Sequence, residues 1–407
     1  MPILIWRHGS EAIESEVGPT AKRSRNWQLA IGNRKSEMES IMDLSITVNG
    51  VKFPNPFLLG SGPPGTNARV IAKSYEAGWG GAVAKTVSLE SAKVVNVVPR
   101  YGKLRSRTSG EVIGFENIEL ISDRPIEVWL DEFRQIKKEY PNHVLVASIM
   151  EEYEKSRWQE LTRVVQDTGV DAFELNFSCP HGMTERKMGS EMGEHPDLTE
   201  EVTSWVTEVA KIPVWAKMTP NITNIKEPAL AAVRGGAVGI SAINTILSVI
   251  GVDLNTLRPM PTVEGHTVPG GYSSQAVKPI ALRMVSQLAL GLPKDVSVSG
   301  IGGIETSHDA IEFFLLGAST VQLCTGVMLH GVKMIDELQD GLAKFLTDKG
   351  FDSVQEIVGK SLTYFSTHMD LVQKMKAAKR SKAGEASRDN EWAQKDITEK
   401  TAELTSN

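Results

Sequence analysis

Val144-Leu145-Val146-Ala147-Ser148-Ile149, Ala172-Phe173-Glu174-Leu175-Asn176-Phe177 and Val214-Trp215-Ala216-Lys217 are three short, largely apolar runs of strand length. Two amphipathic segments of helical period stand between them, Trp158 to Gln166 and Thr199 to Val209. Strands this apolar, alternating with helices, belong in a parallel sheet covered by helices on its outer face. The alternation continues in both directions. Upstream lie Pro56 to Gly60 and Ala82 to Lys85; downstream lie Gly239 to Ile243, Val296 to Ser299 and Thr320 to Cys324. Val70 to Ala77, Ile280 to Ala289 and Ser307 to Leu316 supply further helical segments. Eight strand and helix units in roughly 300 residues predict an α/β fold of the closed (β/α)8 TIM-barrel type, not an open sheet. A hairpin precedes them: Leu44 to Val48, the turn pair Asn49-Gly50, then Val51-Lys52-Phe53.

The rest of the chain sets limits on function. Hydrophobic residues make up 41% and charged residues 23% of 407 residues, which excludes disorder for the bulk. A net charge of -6 supplies no field for nucleic acid or an anionic membrane surface. The two cysteines, Cys179 and Cys324, cannot form a disulfide framework or an iron–sulfur cluster, which needs about four thiolates. The eight histidines lack H-x-H and H-E-x-x-H spacing, so no metal is expected. Two uncharged stretches, Gly235 to Val252 and Phe313 to Val332, approach the roughly 20 residues of a membrane span. Polar residues such as Asn244 and Gln322 interrupt them, and they read as buried strands. Residues 1–40 form a polar extension, a transit peptide or a disordered segment. Residues 41–360 form the barrel, and residues 361–407 a charged tail, part of it helical. Trp205 and Trp215 sit among apolar neighbours and read as core.

Chemistry in such a barrel sits at the C-terminal ends of the strands. Those ends read Gly60-Ser61-Gly62-Pro63, Lys85-Thr86, Asn176 to Gly182, Lys217 to Asn221, Asn244-Thr245, Gly300-Ile301-Gly302-Gly303 and Cys324-Thr325-Gly326. Lysines, amides and a thiol therefore converge on one rim, joined by Asn117 from the long second loop. The glycine-rich turns after strands seven and eight are where this fold commonly grips a phosphate, with Ser307 opening a helix whose first amides favour an anion. Neither a Rossmann fingerprint nor a P-loop is present.

Asn176-Phe177-Ser178-Cys179-Pro180-His181-Gly182-Met183, Ala216-Lys217-Met218-Thr219-Pro220-Asn221 and Gly300-Ile301-Gly302-Gly303-Ile304 together resemble the flavin barrel of the dihydropyrimidine/dihydroorotate dehydrogenase family. The resemblance runs from about Leu44 to Leu346, and Ser361-Leu362-Thr363-Tyr364-Phe365 is similar to the short plant form. It implies FMN held by Ser61, Lys85, Thr86, Lys217, Ser274, Ile301, Gly302, Gly303, Cys324 and Thr325. It implies a pyrimidine held by Asn117, Asn176, Phe177, Ser178, Asn244 and Thr245, with Cys179 transferring the proton. Ser274 stands where the family pattern has a glycine; a serine still offers its backbone amide. The resemblance also implies NADPH as electron donor, used directly or through a separate reductase, and a homodimer. A plastid location follows from the plant-like tail, with the cytoplasm as the alternative because residues 1–40 are not poor in acids.

Elementary chemistry agrees with that reading. Saturating the C5=C6 bond of uracil or thymine takes a hydride and a proton. A flavin supplies the first and a thiol of ordinary pKa ~8.5 the second. Lys217 or Lys85 would stabilise negative charge on a reduced ring. Asparagines offer donor and acceptor together, matching a neutral pyrimidine edge better than arginine. Cys324 reads as a wall residue, and His181 as a histidine fixing loop backbone, not a second proton donor. The rivals are dihydroorotate oxidation on the same barrel, a Schiff-base aldolase using Lys85 or Lys217, and a flavin-free scaffold subunit.

Overall fold

A computed structural model describes residues 42–179, 188–381 and 401. In chain order its strands begin with β1 (Ile46–Val48), β2 (Val51–Phe53), β3 (Phe57–Leu59), β4 (Gly81–Val83), β5 (Tyr101–Arg105) and β6 (Val112–Asn117). There follow β7 (Val144–Ile149), β8 (Ala172–Phe177), β9 (Val214–Met218), β10 (Gly239–Ala242) and β11 (Ile246–Ser248). The last are β12 (Val252–Asp253), β13 (Arg258–Pro259), β14 (Gly270–Ser273), β15 (Ser297–Ile301) and β16 (Thr320–Leu323).

β3, β4, β7, β8, β9, β10, β15 and β16 form a closed barrel in that order. All its pairs are parallel, including β16 on β3, where Val321 meets Phe57 and Leu323 meets Leu59. These are the eight strands expected from the sequence, and helices follow each of them. Side chains alternate with a period of two. Outward ones meet the helices: the Phe177 ring lies 6.2 Å from Trp158, and Phe57 lies 6.1 Å from Phe314. Trp205 and Trp215 are buried.

The inward face carries a polar layer. Gln322 Nε2 donates to Glu174 Oε2 at 2.8 Å and lies within 3.3 Å of the Ser241 and Ser299 hydroxyls. Thr320 Oγ1 donates to Ser299 Oγ at 2.9 Å. Barrel interiors are usually filled with branched apolar side chains; here the hydrogen bonds of the layer offset only part of its desolvation, since Glu174 Oε1 and Gln322 Oε1 have no partner among the described residues.

Two elements close the ends. At the N-terminal end, β1 and β2 pair antiparallel as expected. Asn49, in their turn, accepts from Trp215 Nε1 at 2.9 Å and Ser297 Oγ at 2.6 Å, and donates to the Val238 carbonyl at 2.9 Å. Phe53 stacks on Trp215 with ring centroids 6.3 Å apart. At the C-terminal end, β5 and β6 from the loop after β4 join β11 and β14 from the loop after β10. They form an antiparallel sheet in the order β11-β14-β6-β5, which the sequence reading lacks. Glu116 is its buried tie, accepting from Ser248 Oγ at 2.8 Å and the Ile250 amide at 3.3 Å. Burial raises the pKa of that carboxyl.

Among the described residues no helix is long and apolar enough to cross a membrane. The uncharged stretches contain β10 and β11 in one case, and β16 between helix ends in the other. A helix occupies His368–Ser381, within the charged tail.

Gln322→Leu tests the polar layer. It removes the donor to a carboxylate with no access to water, and a loss of about 1–3 kcal/mol is expected. The check is the thermal unfolding midpoint. A midpoint equal to the parent's would show that the layer does not hold the barrel.

Candidate active site

A cavity of about 1080 Å³, its open mouth included, sits at the C-terminal rim under the four-stranded sheet. Ser61, Lys85, Thr86, Asn117, Asn176, Cys179, Lys217, Asn244, Thr245, Ser274, Ile301, Gly302, Gly303, Cys324 and Thr325 all line it. The barrel brings them together from both halves of the chain.

Many of these side chains are linked directly. Thr86 Oγ1 lies 3.2 Å from Ser61 Oγ and 2.8 Å from Ser148 Oγ, and accepts from Asn176 Nδ2 at 2.9 Å. Asn176 Oδ1 accepts from both the amide and the hydroxyl of Ser178 at 3.1 Å. Asn244 Nδ2 donates to Ser178 Oγ at 2.9 Å, and Asn244 Oδ1 accepts from the Thr245 amide at 2.7 Å. Asn117 Nδ2 donates to the Gly271 carbonyl at 3.3 Å, across the β6–β14 pairing. Bonded in this way, the amides hold fixed orientations, as a site that reads a ligand edge requires.

Charge divides the site in two. On the sheet side, Lys85 Nζ lies 2.8 Å from Glu119 Oε1, and Arg100 Nε lies 3.2 Å from the same oxygen. Tyr101 donates its hydroxyl to Glu119 at 3.0 Å; burial pushes its pKa up to about 12, so it stays a neutral donor. On the barrel floor, Lys217 is buried, and among the described residues the nearest acceptor to its ammonium is Glu174 Oε1, 4.0 Å away. Glu174 Oε1 itself has no hydrogen-bond partner among the described residues. A buried ammonium facing a cavity without an acceptor fits a ligand that brings one.

The two cysteines differ. Cys179 is buried with Ile121, Met150 and Met188, and its carbonyl accepts from the Ser190 amide at 3.1 Å. Cys324 packs its sulfur over Gly62, where an added Cβ would lie 2.6 Å from Sγ. Burial pushes the Cys324 thiol up to about 12. Among the described residues no group of three or more His, Cys, Asp or Glu side chains could hold a metal ion.

A family model described as dihydroorotate dehydrogenase matches residues 43–346. The chain belongs to this family. It is 50% identical over 408 residues to the chloroplastic dihydropyrimidine dehydrogenase (NADP(+)) of Arabidopsis thaliana, covering 97% of this chain and 96% of that one. It is 49% identical over 318 residues to the PreA subunit of the NAD-dependent dihydropyrimidine dehydrogenase of Escherichia coli K12, covering 78% and 76%. A crystal structure of DHODH from Eimeria tenella with ferulenol shares the fold, with a TM-score of 0.66 at 19% identity, over 82% of this chain and 93% of that one. The chain is thus an oxidoreductase of the dihydropyrimidine and dihydroorotate dehydrogenase kind.

Two residues expected at the substrate do not line this cavity. Phe177 does not reach the cavity, because period-two alternation turns its ring outward onto Trp158. Ser178 is fully buried behind the wall and bridges Asn176 to Asn244. Ser307 opens the helix after β15 (Ser307–Leu315), as expected; Thr306 caps it in a capping box with Asp309, while Ser307 donates from its amide and hydroxyl to Glu337. Protein carboxylates occupy those first amides, leaving the Gly302-Gly303 turn to face the cavity. His181 lies outside the described residues. Glu119, Tyr101 and Glu305 were absent from the sequence reading yet line the cavity. Glu119 had one signal: it stands two residues beyond Asn117, and so on the same face of an extended chain.

Cys324 should resist alkylation. At pH 8 a thiol near 12 is about a thousandfold less ionised than an ordinary one, and the thiolate is the reactive form. Iodoacetamide labelling of native protein, followed by peptide mass spectrometry, should leave Cys324 unmodified while the unfolded chain is labelled. Rapid labelling of the native residue at pH 8 would show that its thiol is not held protonated.

Proposed function

We propose that the chain uses FMN to reduce uracil and thymine to their 5,6-dihydro forms, the opening step of pyrimidine breakdown. The observation that carries this reading is the pairing, around one cavity, of linked asparagine amides with the Glu119 carboxylate. Uracil is neutral and has two N–H donors and two carbonyl acceptors. Asn117, Asn176 and Asn244 can meet both kinds, and Glu119 can accept from an N–H. Dihydroorotate carries a carboxylate, which calls for an unengaged cation. Both cations on the sheet side are already held by Glu119, and Lys217 on the floor is taken here as a flavin contact. A second carboxylate there would face repulsion, which favours the neutral substrate.

The residues fit FMN. Lys217 offers a buried ammonium without an acceptor, and Gly302, Gly303 and Thr325 offer backbone and hydroxyl to a phosphate. When bound, the flavin supplies the two-electron chemistry. Cys179 has the role of holding and donating the proton for the carbon that does not receive hydride. Lys217 favours negative charge in the floor of the site, and the sheet and amide network exclude water and orient the ring.

NADPH as donor is supported by the NADP(+) in the name of the Arabidopsis relative, and a separate reductase by the word subunit in that of the bacterial one. The chloroplastic relative supports a plastid location; the homodimer rests on resemblance. The deciding assay compares uracil-dependent oxidation of NADPH with dihydroorotate oxidation by the purified yellow protein. Turnover of dihydroorotate alone, or a colourless protein releasing no FMN, would overturn the reading. Bleaching of the flavin by dithionite but not NADPH would assign reduction to a partner.

Cys179→Ala should slow uracil reduction by about 10²–10⁴-fold, the worth of a positioned general acid. FMN content should be kept, because the turns offered to the phosphate belong to β15 and β16. Near-parental turnover in a flavin-loaded variant would remove Cys179 from the mechanism.

Lys217→Met should lower FMN retention and the flavin reduction potential. It also strands Glu174 as a buried unpaired charge, so Glu174→Gln/Lys217→Met is the control that separates charge from folding. Equal occupancy and potential in both variants and the parent would leave Lys217 with no part in flavin binding.

A further inference from the structure

Ser274 is buried and adopts φ +79°, ψ −169°. That region is essentially confined to glycine, and other residues persist in it only where their surroundings over-determine the backbone. Here the surroundings converge on one carboxylate. Glu305 Oε1 accepts from Ser274 Oγ at 3.0 Å; Glu305 Oε2 accepts from Gln275 Nε2 at 3.2 Å and lies 3.0 Å from His330 Nε2. Glu305 follows β15, Ser274 follows β14, and His330 ends the helix Thr325–His330 after β16. One side chain therefore ties together the three segments that form this wall of the cavity. The fit behind it is close: a Cβ on Gly303 would lie 2.9 Å from the Ser274 carbonyl oxygen.

We propose that Glu305 is a positioning residue. It holds Ser274 in a glycine-like conformation, and through it sets the wall that presents the Ser274 backbone and the Gly302-Gly303 turn to the flavin. The serine hydroxyl is the handle: without it the backbone could reach this conformation only as glycine. Glu305 and Ser274 act as a pair, so a glycine at this position would remove most of the need for the carboxylate, leaving only its bonds to Gln275 and His330. The proposal rests on the reading of the cavity as an FMN site.

A double-mutant cycle tests it on full-length protein stripped of flavin, with FMN affinity read from the quenching of flavin fluorescence. Glu305→Ala should weaken FMN binding by about tenfold or more, the scale of leaving a buried hydroxyl without its charged acceptor. In a Ser274→Gly background the same Glu305→Ala change should cost less than about a third of that factor, since coupled neighbours are non-additive. Thermal unfolding of the flavin-free variants should show the same rescue. Equal losses in both backgrounds, or parental affinity in Glu305→Ala, would overturn the proposal. If the parent protein takes up no FMN, the flavin reading fails separately. The unfolding cycle then decides: rescue of the midpoint by Ser274→Gly supports the Glu305 clamp, and its absence refutes it.

Discussion

Closure of the barrel is the constraint on which the rest depends. The Val321 amide donates to the Pro56 carbonyl and the Gly60 amide to the Leu323 carbonyl, joining the last strand to the first. Without that seam, β3 and β16 would be open edges. With it, eight strand ends face one rim, and residues as far apart as Ser61 and Thr325 share a cavity. The alternation of side chains then divides the labour. Outward positions bury aromatic rings under helices; inward ones carry the amides, lysines and hydroxyls.

The polar interior would be a poor choice for stability alone. Glu174 and Lys217 stand 4.0 Å apart, too far for a hydrogen bond, with Glu174 shut away from water and Lys217 facing the cavity. Such a pair recovers little of its desolvation cost. Ser274, in a backbone region other residues avoid, is a second departure from local preference. Both departures line or underlie the same cavity, where local rules are expected to yield to function. The pairing of Lys85 and Arg100 with Glu119 shows the opposite economy: these charges are engaged before any ligand arrives.

All eight barrel strands were legible in the sequence, with ends displaced by at most two residues. Apolar runs of strand length and helical periodicity are local signals, and the rule that chemistry lies at strand ends turned them into a site. That rule located Lys85, Lys217, Asn176, Asn244 and Cys179 on one rim. Resemblance contributed the chemistry of the ligands as an expectation, which no periodicity contains.

What the sequence by itself determined, then, was the order of the strands and the chemical character of their ends. Only the tertiary structure decided how those ends combine. The mouth sheet pairs β6 with β14 across some 150 residues, between short strands containing Gly114, Gly270 and Gly271, so its pattern is weak and its partners are remote. Glu119 becomes part of the site only because that sheet folds over the rim. Phe177 turns away from the cavity because register, not residue type, decides which way a strand residue points, while Ser178, just beyond the strand, is taken up in bonds to Asn176 and Asn244. The first amides of the helix that Ser307 opens are taken by Asp309 and Glu337, one of them 30 residues away. The bond from Ser274 to Glu305 joins residues 31 positions apart, and no window of sequence contains the geometry that makes it necessary.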